Sequence, residues 1–337
     1  MRAVVLVGGF GTRLRPLTLA TPKQMLPVVD RPMIEWVVGH LAEHGVDEAV
    51  LSLGYRPDAF TEAYPDETCA GVRLRYAVED EPLDTAGAIR FAATTAGIDE
   101  RFLVLNGDVL TDLDIGALVR FHDEHGGDGT LHLIPVDDPS RYGVVPTDAD
   151  GRVQAFVEKP PKDEAPSNWI NAGTYVLEPG VLDRIAPEGR VSIERETFPA
   201  IAAEGTLYGY EAETYWVDAG TPATYLQAQL DLVDGRRPVR PDGVAADAVV
   251  AEGAKVDHAV VMSGAVVADG ALVADSAVLP GARVESGATV RDSIVGPGAV
   301  VGADAVVEEG TLLGDGAAVE PGEVLTAARR PDPEVPT

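Results

Sequence analysis

The sequence is short of cysteine, of cations and of long apolar runs, and each shortage removes a class of protein. Its 337 residues include one cysteine, Cys69. An internal disulfide and a multi-cysteine metal site are therefore excluded, and a lone thiol suits a reducing compartment. Lysine and arginine number 26 against 55 aspartates and glutamates, a net charge of −29. Nucleic acids and anionic membrane surfaces need a basic face, so neither is expected as a partner. A nucleotide needs only a local positive pocket, which an acidic chain can still supply. The apolar stretch near the N-terminus, Ala3 to Val7, is five residues long, and it reads as a first strand rather than a secretory leader. No other run approaches the ~20 residues of a membrane helix, so a cytoplasmic protein is expected. What is present is an apolar content of 45%, enough for proper cores, on a length that suggests two domains.

The first strand runs into a turn holding Gly8, Gly9 and Gly11, followed by Arg13, Arg15 and Lys23. Glycines just past a strand let the backbone approach a ligand and take positive φ. Successive N–H groups in such a turn form an anion-binding concavity. With cations above it, the turn describes a polyphosphate site. It is not a dinucleotide loop: Gly9-Phe10-Gly11 fits G-x-G, but Leu14 stands at the third glycine position. Nor does the chain contain a G-x-x-x-x-G-K-[ST] run.

From residue 1 to 233, short apolar runs alternate with amphipathic helical stretches. Strands are expected at 3–7, 48–53, 72–78, 102–106, 129–136, 143–145, 152–158, 174–177 and 207–210, and helices at 32–44, 84–96, 114–125, 179–185, 194–203 and 221–233. That alternation implies an α/β fold with a doubly wound, mostly parallel sheet and ligands outside the carboxyl ends of its strands. An Arg-, Pro- and Gly-rich linker occupies 234–243. Beyond it, units of 17 residues begin at Asp247, Gly264 and Gly281, and a six-residue rhythm continues from Gly298. A small residue and an aliphatic recur two apart, as in Ala265/Val267, Ala271/Val273 and Ala282/Val284. Alternate residues of a strand share a face, so three short strands per coil describe a triangular parallel β-helix over 244–324. The stretch 325–337, proline-rich toward its end, is expected to be a disordered tail.

Several strand ends carry residues suited to chemistry. Asp108 follows the apolar run Phe102–Leu105 and Asn106-Gly107; Asp218 ends Trp216-Val217. Either aspartate alone reads as a turn former. Together, beside a triphosphate loop, they would suit Mg²⁺, which takes one or two carboxylates and fills its shell with water and phosphate oxygens. Pro160 holds Lys159 at a strand rim as a point charge for a second phosphate, and Asn171 with Gly173 suits sugar hydroxyls. The loop Glu81 to Gly87 leads into a helix whose N-terminus could face a ligand. Taken singly, these three motifs read equally well as turn chemistry.

The motifs Gly8-Gly-Phe-Gly-Thr-Arg-Leu-Arg-Pro-Leu-Thr18, Pro22-Lys-Gln-Met-Leu-Pro27, Glu81-Pro-Leu-Asp-Thr-Ala-Gly87, Asn106-Gly-Asp108, Tyr142-Gly-Val-Val145, Phe156-Val-Glu-Lys-Pro160, Ile170-Asn-Ala-Gly173, Ser192-Ile-Glu-Arg-Glu-Thr-Phe198 and Trp216-Val-Asp-Ala-Gly220 span nearly all of 1–232. In order and spacing they resemble the nucleotide-diphosphate-sugar pyrophosphorylases, the sugar-1-phosphate nucleotidyltransferases. Within that group the chain is similar to mannose-1-phosphate guanylyltransferases that carry a left-handed β-helix of hexapeptide repeats. The resemblance implies that Val7, Gly8, Gly9, Gly11, Thr12, Arg13 and Lys23 hold a nucleoside triphosphate, with Glu79, Glu81 and Gly87 near its base. Arg13 and Lys23 are the implied catalytic cations. Asn106, Gly143, Glu158, Lys159 and Asn171 would hold the sugar phosphate, and Asp108 and Asp218 the Mg²⁺. The expected reaction is in-line attack of the sugar-1-phosphate on the α-phosphorus with loss of pyrophosphate.

Two departures leave the substrate open. Asp84 stands where the family loop commonly has glycine, and Gln24 where guanylyltransferases often have proline. Glu79 or Glu81 could accept from N1 and N2 of guanine, which favours GTP. Thymidylyl, adenylyl or uridylyl transfer to glucose-1-phosphate, and guanylyl transfer to a cyclitol phosphate, stay as alternatives. A silent nucleotide-sugar-sensing subunit would predict a broken glycine loop or missing aspartates, and both are intact. An acyltransferase would need a histidine base on a coil, where His258 is the single candidate. The repeats are expected to mediate homo-oligomerisation or regulation.

Overall fold

The computed structural model describes residues 1–332, which form two compact units. One comprises Met1–Gly9 and Ile34–Trp216, the other Phe10–Met33 and the described residues from Val217 onward. Chain segments thus sort differently from the boundary expected at 233. Residues 10–33 and the helix Pro222–Val233 group with the repeats because they bond to one another. Val29 N–H donates to Gln229 Oε1 at 2.6 Å, Gln229 Nε2 donates to the Pro27 carbonyl at 2.9 Å, and the Tyr225 hydroxyl donates to that same carbonyl.

The first unit is built on a ten-stranded sheet. At its centre Arg2–Leu6 pairs in parallel with Glu48–Leu53 on one side and Phe102–Asn106 on the other, and Val72–Val78 extends the parallel part beyond Glu48–Leu53. Ala3, Val4 and Val5 are fully buried, as expected for a strand covered on both faces. The chain winds to one side of Arg2–Leu6 and then returns to the other, so the crevice for a ligand opens between the carboxyl ends of Arg2–Leu6 and Phe102–Asn106. The helix Asp84–Thr95 covers one face. Its Ala86, Ile89, Ala92 and Ala93 share a core with Val4, Val50 and Val104. Small side chains at helical spacing let it lie close to the sheet. Gly97, at φ +65°, ends it by turning its N–H back to the Thr94 carbonyl.

Beyond Phe102–Asn106 the sheet is mixed. Trp169–Leu177 runs antiparallel to Phe102–Asn106 and to Gly129–Pro135, and the latter pairs in parallel with Leu207–Glu211. The strand expected at 152–158 shrinks to the pair Val157–Glu158 and isolated bridges at Val153 and Arg152. The helix expected at 179–185 is a 3-10 turn, Pro179–Arg184. The one expected at 194–203 opens as a π turn, Ile193–Thr197, before Phe198–Glu204.

In the second unit three five-stranded parallel sheets form the expected three-sided coil, consistent with a left-handed β-helix. Val249 stacks on Val266, Arg283, Val300 and Ala318 in turn. The inward pairs Ala265/Val267, Ala271/Val273, Ala282/Val284, Ala288/Val290, Ala299/Val301 and Ala305/Val307 are all buried. The stretch 234–243, expected as a linker, is itself hydrogen-bonded: Arg240 Nε donates to the Val233 carbonyl and the Gly243 carbonyl accepts from Val261 N–H. One expectation fails at the far end of this region. The coils continue past 324. Val324–Thr326 pairs with Val306–Glu308 and Arg329–Arg330 pairs with Leu312–Leu313, so the tail expected from 325 is ordered into the ladder as far as Arg330. The aliphatic signal stops early there because backbone pairing and the bidentate Arg330–Glu323 ion pair (2.6 and 2.9 Å) hold the last strand. The remainder of that tail, 333–337, lies outside the described residues.

His132, on Gly129–Pro135, is completely buried, and burial pushes its imidazole down to about 4. The unfolded chain therefore binds the extra proton between pH 6.5 and 4. This group's contribution is full above the unfolded value and is lost as pH falls toward 4. Up to about 3 kcal/mol of stability should disappear over that window. Urea unfolding of the parent and of His132→Leu at pH 7 and pH 4.5 checks this. The variant should lose distinctly less on acidification, and equal losses would refute the assignment.

Candidate active site

The expected site residues fall in both units. In the first, Arg2–Leu6 continues into Val7, whose N–H donates to the Ser52 carbonyl at 3.1 Å. Gly8 then passes Gly54, where an added Cβ would lie 3.1 Å from the Gly8 carbonyl oxygen. Gly54 is a loop-shaping glycine with no obvious sequence signal. Over Gly9 an added Cβ would meet nothing within 4 Å, so the backbone there is open to a ligand. Glu79 is committed to the scaffold: Oε1 accepts from Ser52 Oγ at 2.9 Å and Oε2 from Leu83 N–H at 3.1 Å. Glu81 is exposed. A cavity of about 530 Å³ opens beside this loop, lined by Glu79, Glu81, Leu83, Gly87, Arg90 and Phe91 among others. That volume lies in the range of small-molecule sites.

The helix that follows does not offer its first N–H groups to a ligand, because Ala86 and Gly87 both donate to the Val191 carbonyl, at 2.9 and 3.2 Å. Gly87 is buried, and a Cβ on it would sit 2.9 Å from Leu83 Cβ. Gly87 thus packs closely against Leu83 while lining the cavity. Asp84 occupies a left-handed position at φ +61°, which explains why glycine suits that site, and its own carboxylate accepts from Thr85 N–H.

At the neighbouring strand end Gly107 N–H donates to the Leu6 carbonyl at 2.9 Å, tying the Asn106–Asp108 turn to the first strand. Asn106 also lies against Gly173, where an added Cβ would come 2.5 Å from Asn106 Nδ2. Asn171 is held by Tyr175, whose hydroxyl accepts from Asn171 Nδ2 at 2.8 Å, while Asn171 Oδ1 accepts from Gly173 N–H at 3.1 Å. Tyr175 is a residue the sequence reading missed. It lies buried across an irregularity in the ladder between Asn171 and Tyr175, which alternation alone does not reveal. Burial raises its phenol well above the usual tyrosine range, so it stays protonated. Gly143 faces Glu158 across the antiparallel pair, and a Cβ there would be 2.6 Å from the Phe156 ring. Lys159 N–H donates to the Tyr142 carbonyl, and its ammonium meets Glu158 Oε1 at 2.7 Å. Asn106, Asp108, Glu158 and Asn171 are all half-buried.

In the second unit Gly11 takes φ +61° against Thr18 and Lys23; a Cβ would lie 2.9 Å from Thr18 Cγ2 and 3.2 Å from Lys23 Cβ. Thr18 Oγ1 donates to the Gly11 carbonyl at 2.8 Å, which locks the turn. Thr12 and Arg13 stand exposed on the 3-10 turn Thr12–Leu14, which Leu14 pins into the interior. Lys23 opens a second 3-10 turn, Lys23–Met25, in which Gln24 is buried. Arg13 and Asp218 converge on Gly220: a Cβ there would sit 2.6 Å from Arg13 Nη2 and 2.7 Å from Asp218 Oδ1. A guanidinium, a carboxylate and a close backbone thus meet at one point, the kind of arrangement that handles a phosphate with its cation. Among the described residues no three His, Cys, Asp or Glu side chains gather as a metal cluster. Asp108, in the first unit, and Asp218, in the second, are the carboxylates expected as ligands, and a carboxylate oxygen is the donor type a hard divalent cation takes.

A parallel α/β core with a glycine turn after its first strand, carboxylates at strand ends and a repeat β-helix defines a phosphate-transferring enzyme of the nucleotide-handling kind. The chain belongs to the nucleotidyl transferase family, whose profile matches residues 2–235; a second profile, described as the GMPPB C-terminal domain, matches 240–329. It is 42% identical over 268 residues to a mannose-1-phosphate guanylyltransferase of Mycobacterium tuberculosis, covering 78% of this chain and 73% of that protein. It is 46% identical over 230 residues to a mannose-1-phosphate guanyltransferase of Aspergillus fumigatus, covering 67% of this chain and 62% of that one. Among solved structures it is similar to HddC from Yersinia pseudotuberculosis in complex with GMP-PN, with a TM-score of 0.59 and 29% identity over 68% of this chain and 97% of that one. Enzymes of this family bind a nucleoside triphosphate and a sugar phosphate and generally work with a divalent metal. No helix of the described residues is long and apolar enough to cross a membrane.

Gly173→Ala tests how the sugar side of the site is held. The substitution meets both a left-handed backbone and the Asn106 amide, so it should cost about 2 kcal/mol or more. It should also raise KM for the sugar phosphate more than KM for the triphosphate. Steady-state kinetics alongside thermal unfolding separate the two effects, and equal rises in both KM values would argue against the assignment.

Proposed function

We propose that the chain transfers a guanylyl group from GTP to mannose-1-phosphate, giving GDP-mannose and pyrophosphate with Mg²⁺, in the cytoplasm. The observation that carries this reading is the meeting of Arg13, from the turn that also holds Gly11, with Asp218 at Gly220. The names of the curated relatives and the GMP-PN complex of the structural neighbour support guanine and mannose.

In this scheme Val7, Gly8, Gly9, Gly11 and Thr12 present backbone to the triphosphate while Arg13 and Lys23 neutralise its charge. Glu81, exposed at the mouth of the 530 Å³ cavity, is the base-reading carboxylate, and Glu79 holds its loop. Lys159 exchanges its contact with Glu158 for the phosphate of the sugar, and Glu158 then accepts from a sugar hydroxyl. Asn106, Asn171 and the close backbone at Gly143 complete the sugar side. Mg²⁺, when bound, would neutralise developing charge on the phosphate oxygens; Asp108 and Asp218 are its proposed ligands. A phosphate oxygen of the sugar-1-phosphate bonds to the α-phosphorus as the α–β bridge breaks, and pyrophosphate leaves with the electron pair. The nucleophile is already an anion, so no general base is required, and catalysis is positioning plus charge neutralisation.

Pyrophosphate release should be fastest, by kcat/KM, with GTP and mannose-1-phosphate among four triphosphates and three sugar phosphates. Activity confined to dTTP would overturn the guanine choice. Arg13→Ala and Asp108→Asn should each lower kcat/KM by about a hundredfold or more without loss of fold. We further propose that the β-helix supports a homo-oligomer. Size-exclusion chromatography with light scattering should return a mass above that of one chain, and a monomer at all concentrations would end that proposal.

A further inference from the structure

The last coil of the β-helix is bonded to the turn that carries Arg13. Arg329 Nη1 donates to the carbonyl of Arg13 at 3.1 Å and to that of Arg15 at 2.9 Å. The turn's own hydrogen bonds use the carbonyls of Gly11, Thr12 and Leu14, so the carbonyls of Arg13 and Arg15 face outward to a donor from elsewhere in the unit. One guanidinium nitrogen with two protons reaches both. Such bonds, with a charged donor, are roughly twice as strong as neutral ones. Arg329 is itself held: its strand pairs with Leu312–Leu313, and the next residue, Arg330, is locked on Glu323 and on the Ala318 carbonyl.

A second contact shows that the coil is shaped to receive the turn. One corner of the helix presents Met262, Leu279, Gly296 and Gly314 on successive coils. The side chains vanish toward the end where Pro16 packs. An added Cβ at Gly314 would lie 2.9 Å from both Cβ and Cγ of Pro16, and 3.3 Å from Pro331 Cδ. Gly314 has no positive φ to explain its identity; the space it leaves is taken by the proline of the turn.

We propose that Arg329 is a positioning residue of the nucleotide site: the terminal coil fixes the Arg13–Pro16 turn, so that the repeat domain sets the affinity for the triphosphate. The proposal rests on the reading of that turn as the triphosphate site. It assigns the C-terminal repeats a part in substrate binding exerted through that turn, separate from any role in self-association.

The test uses the full chain, with Arg329→Ala, Arg329→Lys, Gly314→Ala and, as a control on the reading itself, Arg13→Ala. Arg329→Ala should raise KM for the triphosphate about tenfold, leave KM for the sugar phosphate within about twofold, and leave the urea midpoint unchanged. Lysine at 329 can donate to both carbonyls and should recover most of the loss, whereas Gly314→Ala should reproduce the defect by displacing Pro16. The proposal is overturned if Arg329→Ala keeps the parent KM for the triphosphate while Arg13→Ala raises it. If Arg13→Ala is silent as well, the turn is not the triphosphate site and both readings fall. Should Arg329→Ala not fold, Arg329→Lys and Gly314→Ala decide, and parent KM values in both would overturn it.

Discussion

The strand Arg2–Leu6 is hydrogen-bonded in parallel on both sides and buried on both faces, and every strand-end loop of the first unit takes its position from it. A strand so enclosed cannot slip by one residue, because a slip would turn every side chain to the opposite face. Its neighbours are therefore locked in register, and the ends of Arg2–Leu6, Glu48–Leu53 and Phe102–Asn106 are aligned. From those ends emerge Gly8 and Gly9, Gly54, and the Asn106–Asp108 turn, which is tied back to Leu6 by its own N–H. Apolar burial, which carries no information about phosphates, thereby sets where the polar groups stand.

A recurring device fills the space between these loops: a glycine stands wherever a functional side chain must lie against backbone. Gly173 receives the Asn106 amide, Gly143 the Phe156 ring beside Glu158, and Gly220 the Arg13 guanidinium with the Asp218 carboxylate. In each case a Cβ would come closer than 3 Å to its neighbour. Side chains held against backbone in this way lose little freedom when a ligand arrives, which is the condition for catalysis by positioning.

The β-helix obeys a different constraint. Each coil can bury its inward Ala and Val only by stacking on the next, so the periodic pattern and the three sheets are the same fact seen in one and three dimensions. That pattern stops being visible near 324 although the ladder runs to Arg330, because the last strand is held by backbone pairing and by Arg330–Glu323 rather than by aliphatics. At that end the repeats meet the Arg13 turn, which makes the terminal coil more than a spacer.

Period and punctuation were legible in the chain: the alternation that builds the α/β core, the small–aliphatic rhythm of the coils, and a glycine turn crowded with arginines. The family was legible as well, since each of its motifs is a short local run. Other features needed the folded chain. Glu79 is bonded to Ser52, 27 residues earlier, as well as to nearby Leu83, and Gly87 donates to the carbonyl of Val191, far along the chain. Tyr175 holds Asn171 across an irregularity that strand alternation hides, and Arg329 reaches residues more than three hundred positions earlier. The sequence by itself determined which local structures and which reacting groups exist, because these depend on neighbours a few residues apart. Only the tertiary structure decided which of those groups are free to meet a substrate, because hydrogen-bond partners and close contacts are allotted in space.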